Sequence, residues 1–89
     1  MTILQTAIFS KAVKKLHANQ KADLDLAIHA LEANPTIGEL KKGDLSAVRV
    51  HKFHMVNQLA LLAYTFEGTR LILTLLALGS HENFHRDLK

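Results

Sequence analysis

Apolar residues first recur at helical spacing after residue 7: Phe9, Val13 and Leu16 share one face, while Lys11, Lys14 and Lys15 lie off it. Ser10 is a favourable N-cap type, and the pattern predicts a first helix over about 7–18. Asn19 and Gln20 punctuate it. Leu24, Ala27, Ile28 and Leu31 then repeat at i, i+3, i+4 and i+7, with Asp23, Asp25 and Glu32 off the stripe, which predicts a second amphipathic helix over about 20–33. Asn34-Pro35 ends it, because the residue before proline is pushed out of the α region and proline cannot continue the hydrogen-bond ladder. Two helices joined by a short turn make an αα-hairpin. Ahead of them, residues 2–5 suffice for a short strand.

After a polar connection containing Gly38 and Gly43, the period shortens to two. Residues 46–55 alternate, with Val48 and Val50 on one face and Arg49 and His51 on the other. A bulge near Phe53 would exchange those faces further along. Residues 58–66 and 70–78 are nearly continuous in apolar character, as inner strands are, and Glu67-Gly68-Thr69 forms a short hairpin loop between them. Gly79 is expected to break the last strand. Ser80 would cap a short C-terminal helix with Glu82 in its first turn, and Phe84 and Leu88, four apart, would pack on the sheet. The expected fold class is α+β: an N-terminal αα-hairpin on a small antiparallel sheet, built as a three-strand meander plus the short N-terminal strand, closed by the helix. Residues 1–89 form one domain, since this length leaves no room for a second core.

Composition narrows the chemistry. With 48% hydrophobic and 21% charged residues the chain has a globular balance. Cysteine is absent, which excludes disulfides, thiolate-zinc sites and thiol nucleophiles and fits a cytoplasmic protein. Residues 1–6 lack the features of a secretory leader, and the apolar runs 59–66 and 71–78 fall far short of the roughly 20 residues that span a bilayer, so no membrane association is expected. The net charge is +3. Its placement matters more: Lys41, Lys42, Arg49 and Lys52 face only Asp44 in one stretch that also holds His51 and His54. Such a strip suits phosphate or an acidic partner, and it equally suits a solvated strand edge on which lysines oppose edge-to-edge association.

Two constellations can carry chemistry. His51, His54, His81 and His85 form a histidine set, and the i, i+4 spacing of His81 and His85 puts them on one helical face. No further ligands stand at metal-site spacing and Glu82 is not placed as in H-E-x-x-H, so no metal or other cofactor is expected; proton transfer is the chemistry imidazoles would bring. Lys41, Lys42, Arg49, Lys52 and Arg86 form a cation set that could neutralise charge on a phosphodiester. The bland alternative makes these mobile surface cations and packing histidines. Serine-nucleophile elbows, P-loops and dinucleotide fingerprints are missing, and the lone Tyr64 lies in an apolar strand where packing is its expected role.

The element order, together with Phe9-Ser10, Ala12 and Leu16, Ala30-Leu31, Asn34-Pro35, Gly38, Lys42-Gly43-Asp44-Leu45 and Ala77-Leu78-Gly79-Ser80-His81 with Phe84, resembles the RelE/ParE superfamily of toxins from bacterial type II toxin-antitoxin systems. These words span nearly the whole chain. The resemblance implies a toxin neutralised in a hetero-oligomer by a cognate antitoxin whose segment wraps the sheet and helices. It further implies one of two activities: ribosome-dependent mRNA cleavage through the ribose 2′-hydroxyl, as in RelE-like members, or inhibition of DNA gyrase without nuclease activity, as in ParE-like members. The first is the leading expectation, with His81, His85 and Arg49 as catalytic residues and Lys41, Lys42, Lys52, Arg86, His51 and His54 holding the substrate. The chain departs from the nuclease pattern in two places. No Lys or Arg occurs over 53–69, where the middle strand usually supplies an arginine, and in the C-terminal word His85 stands where a tyrosine is common and Glu82 where a basic residue is.

Overall fold

The computed structural model describes residues 1–41 and 47–80. The chain runs β1 (Thr2–Gln5), α1 (Ala7–Lys14), α2 (Ala18–Ala33), β2 (Glu39–Leu40), β3 (Arg49–Met55), β4 (Gln58–Glu67) and β5 (Ile72–Ser80). The expected C-terminal helix, with Phe84 and Leu88, lies outside the described residues. Among those described, no helix is long and apolar enough to cross a membrane.

The sheet corrects the expected antiparallel arrangement of a three-strand meander plus a short N-terminal strand. Among the described residues it has five strands in the order β1-β5-β4-β3-β2, and it is mixed, because β1 joins β5 in parallel while the other pairs are antiparallel. The meander survives as β3-β4-β5 inside it. A parallel pairing needs a long crossover, and the α-hairpin together with the meander supplies one between β1 and β5. β2 falls in the segment expected to be a polar connection; a two-residue strand is too short to leave a period.

Helix ends differ from expectation for identifiable reasons. Thr6, not Ser10, caps α1: its Oγ1 accepts the Phe9 N–H at 3.1 Å. The same hydroxyl donates to the Leu76 carbonyl at 2.7 Å. That carbonyl belongs to a bulge, since Ala63 pairs with Ala77 while Tyr64 pairs with Leu75, leaving Leu76 extra. One threonine thus starts the helix and satisfies the irregularity in the strand beside it. The helix ends at Lys14 rather than 18, and α2 starts two residues early, where the Gln20 side chain accepts the His17 N–H at 2.8 Å. β5 continues through Gly79, which pairs with Leu61.

The main core lies between the helices and one face of the sheet. Phe9, Leu24 and Leu31 pack with Leu62, Tyr64, Leu73 and Leu75. Removing a side chain such as Leu31, which is fully buried, would cost about 2–5 kcal/mol. A smaller cluster of Val50, Leu61 and Ala63, joined by Val48, Leu76 and Ala77, occupies the opposite face.

Candidate functional site

β3 and β4 pair without a register shift from Arg49–Tyr64 to Met55–Gln58, so the faces never exchange near Phe53. Strict alternation therefore divides the candidate residues. Arg49 pairs with Tyr64 and His51 with Leu62, both members of the main core, so Arg49 and His51 point to the helix-covered face. Lys52 and His54 pair with Leu61 and Leu59 on the opposite face, and both are exposed.

Arg49 is engaged locally. Its Nη1 donates to the Gly38 carbonyl at 2.9 Å and to the Thr36 carbonyl at 3.3 Å. Tyr64, completely buried, fastens the same loop from beneath: its Oη donates to the Pro35 carbonyl at 2.7 Å and accepts the Gly38 N–H at 2.9 Å. Burial raises the Tyr64 pKa above the ordinary phenol value, against the opposing pull of the Gly38 hydrogen bond and the Arg49 charge, so the hydroxyl stays protonated as this double role requires. A Cβ at Gly38 would stand 2.7 Å from the Tyr64 oxygen, which is why glycine occupies the position. Tyr64 packs as expected, and the polar end that a buried tyrosine must satisfy makes it a tether as well.

That tether shapes a cleft. Tied to Tyr64 and Arg49, the chain pairs with β3 at Glu39 and Leu40, opposite Val50 and Arg49. A cavity of about 320 Å³ lies here, lined by Ile37, Glu39, Val50, His51 and Lys52. Its lining draws on both faces of the sheet edge, with Glu39 and Lys52 on the side of Val50 and His51 on the helix-covered side. His51 is partly buried, its ring stacks on Phe53 with centroids 5.9 Å apart and planes 12° from parallel, and burial lowers its pKa from the ordinary value. At neutral pH the imidazole is therefore held unprotonated, the state of a proton acceptor.

Of the residues singled out from sequence, the cleft gathers His51 and Lys52. Lys41 is half-buried at the end of β2, its N–H donating to the Val48 carbonyl at 2.8 Å. Arg49 is drawn to the loop, and His54 lies on the face of Lys52, beyond the cleft lining. Lys42, His81, His85 and Arg86 lie outside the described residues. Glu39 was not anticipated: it sits in a two-residue strand within a polar stretch, and only the pairing opposite Val50 brings it to the cleft. Among the described residues no three metal-ligating side chains converge.

A family model of ParE-like toxins of type II bacterial toxin-antitoxin systems matches residues 3–89. The chain belongs to this toxin family. No curated protein sequence matches the toxin significantly. Solved structures do. The intact RelBE toxin-antitoxin complex of E. coli contains a chain similar to the toxin with a TM-score of 0.72 at 14% identity, over 89% of this chain and 94% of that one. The YoeB/ParE toxin from Agrobacterium tumefaciens gives 0.73 at 16% identity, over 91% and 99%. A conserved hypothetical protein from Helicobacter pylori gives 0.53 at 24% identity, over 94% and 98%. At these identities the likeness is one of fold. The toxin is thus a type II toxin with a RelE/ParE-like fold.

Proposed function

We propose that the toxin is a ribosome-dependent mRNA endonuclease, that its reactive centre is the cleft at the β2–β3 edge, and that it acts in the cytoplasm until a cognate antitoxin sequesters it. One observation carries the reading: Glu39, His51 and Lys52 line a single cavity, and burial keeps the imidazole neutral. Neutral His51 accepts the proton of a ribose 2′-hydroxyl as that oxygen attacks the adjacent phosphorus. The bond to O5′ breaks, O5′ takes up a proton, and a 2′,3′-cyclic phosphate and a 5′-hydroxyl result. Lys52 neutralises charge gathering on the non-bridging oxygens, and Lys41 and Lys42 extend that field along the strip. Glu39 orients the ribose hydroxyl or shares the proton. His81 and His85 are the candidates to protonate the leaving oxygen, with Arg86 as a further phosphate ligand. Arg49 acts by holding the loop that bounds the cleft. The antitoxin partner is supported by the family and by the toxin-antitoxin assembly of the RelBE neighbour.

Primer extension on a defined mRNA in a purified translation system tests this reading. Cleavage that requires ribosomes, and that falls by about 10²-fold or more in His51→Gln, is the expected result. Intact message with undiminished translation would refute it. One observation favours a second reading, in which the toxin inhibits DNA gyrase without cleaving anything: β4 carries no Lys or Arg. That reading predicts gyrase-DNA cleavage complexes in arrested cells and full toxicity in His51→Gln.

A further inference from the structure

Among the described residues β1 is one edge of the sheet, bonded to β5 on its inner side. Its four residues, Thr2-Ile3-Leu4-Gln5, are all exposed and include no charge and no proline. Proteins guard sheet edges against pairing with charged side chains, prolines or bulges. The opposite edge is guarded in this way: Glu39 lies in β2, and Lys52 and His54 stand exposed on β3 beyond it. β1 instead sits among exposed apolar side chains, its own Ile3 and Leu4 with Met1 before it and Leu71 beside Thr2. We propose that β1 pairs antiparallel with β1 of a second copy of the chain, giving a two-fold dimer whose sheet runs unbroken from one copy into the other.

The backbone fixes the register. The Thr2 and Thr6 N–H groups donate to the Leu71 and Leu75 carbonyls at 2.9 and 3.0 Å, so the even-numbered residues turn inward to β5. Ile3 and Gln5 therefore aim their N–H and C=O groups outward. With Leu4 opposite Leu4 of the second copy, Ile3 of each copy faces Gln5 of the other, and the two pairs exchange four hydrogen bonds. Every outward group of the strand is then satisfied, by the same patch on both copies, as a two-fold interface requires. Leu4 aligns with Thr74, next to the core residue Leu73, so its side chain lies on the face away from the helices. It is 49% exposed and would be covered by Leu4 of the second copy, at a non-hydrogen-bonded position where Cα atoms approach to about 4.5 Å. Each copy carries a net charge of +3, yet none of that charge is on β1, so the pairing strands meet without like charges opposed. The reactive cleft lies at the other edge and stays open in both copies. The dimer rests on the fold alone and not on the proposed activity.

Light scattering of the purified toxin over a concentration series, at low and high salt, tests the proposal. A monomer–dimer equilibrium that tightens with salt is expected, because screening weakens repulsion between two positive copies. Leu4→Lys sets ammonium groups opposite each other, and Gln5→Pro deletes two of the four hydrogen bonds without adding charge. Each should weaken the dimer Kd about tenfold or more, and either one carries the test if the other misfolds. The chain has no cysteine, so Leu4→Cys supplies a single thiol. On oxidation it should form a disulfide dimer at least about tenfold faster than Ile3→Cys, since Leu4 meets its own copy at disulfide distance and Ile3 is offset from its copy by two residues. A toxin that stays monomeric throughout would overturn the proposal and leave the edge to a strand of another chain. Association weakened by salt, a dimer that survives both Leu4→Lys and Gln5→Pro, equal cross-linking at the two positions, or growth beyond dimers would each overturn it as well.

Discussion

At the Arg49 end of β3, the loop after α2 is tied into the sheet from inside the core, by a fully buried Tyr64 hydroxyl bonded to Pro35 and Gly38 and by Arg49 bonded to Gly38 and Thr36. At the Met55 end, an exposed hydrogen bond ties the helical layer to the β3–β4 turn, the Asp23 carboxylate accepting the Val56 N–H. The turn itself is strained, because Val56 is β-branched yet sits at φ 53°. The two ends do the same job with unequal security. A buried hydroxyl that loses a partner cannot turn to water, whereas an exposed carboxylate and amide can, so the first tether is costly to break and the second cheap. The proposed reactive cleft adjoins the first end, where chemistry needs fixed geometry.

The sharpest way to break this comparison is at Gly38. Gly38→Ala places a carbon 2.7 Å from Tyr64 Oη and 2.8 Å from its ring, so either the loop or the ring must move and both tethering hydrogen bonds suffer. A loss of about 3 kcal/mol in urea unfolding is expected. A loss below about 1 kcal/mol would mean that the loop yields freely and the first end is no stiffer than the second. Tyr64→Phe keeps the ring and removes the oxygen, stranding the Gly38 N–H and the Pro35 carbonyl; about 2 kcal/mol is expected. It should also reduce any cleavage activity.

At the other end the effects should be smaller and of both signs. Asp23→Ala removes a hydrogen bond that water can replace, for about 0.5–1 kcal/mol of destabilisation. Val56→Gly should stabilise by about 0.5 kcal/mol, since it relieves the positive φ and creates a Gly-Asn pair suited to a two-residue hairpin loop. Comparable losses in Tyr64→Phe and Asp23→Ala would abolish the distinction between the ends.

Both helices and β3 were legible because each repeats a period along one face, and β4 and β5 because each is a nearly continuous apolar run. Phe9, Leu24 and Leu31, and the alternation of Arg49 and His51 against Val50, came from that signal. What escaped it was set by pairing at a distance. β2 has two residues and no period, so Glu39 could not be placed at the cleft before its pairing with Val50 was known. β1 is exposed throughout and is fixed only by its parallel register against β5. Thr6 outcompeted Ser10 as a cap because its hydroxyl also serves the Leu76 carbonyl, a partner 70 residues away. Arg49 was grouped with the phosphate-binding cations because charge is visible in a sequence and the carbonyls of Thr36 and Gly38 that engage it are not.

The smallest expected effect concerns His51 and joins the cleft to the tethered end. Unfolded, its imidazole titrates near the ordinary value of about 6.5; folded, burial beside Phe53 pushes the pKa lower. Between those two values the unfolded chain binds more protons than the folded one, so stability rises with pH there. This contribution is complete above the ordinary histidine value and is lost as pH falls toward the folded one. In His51→Phe the ring stack remains and the titration disappears, so unfolding free energies of toxin and variant should run parallel above about pH 7 and diverge on acidification, with the unmodified toxin losing more. The same lowered value has a catalytic reading. If neutral His51 accepts the ribose proton, the acid limb of cleavage against pH should fall below the ordinary histidine value, and it should be missing from His51→Gln. A stability difference that stays flat across the acid range would mean that the imidazole reaches water when charged, and the cleft would then lack the preformed base on which the nuclease reading depends.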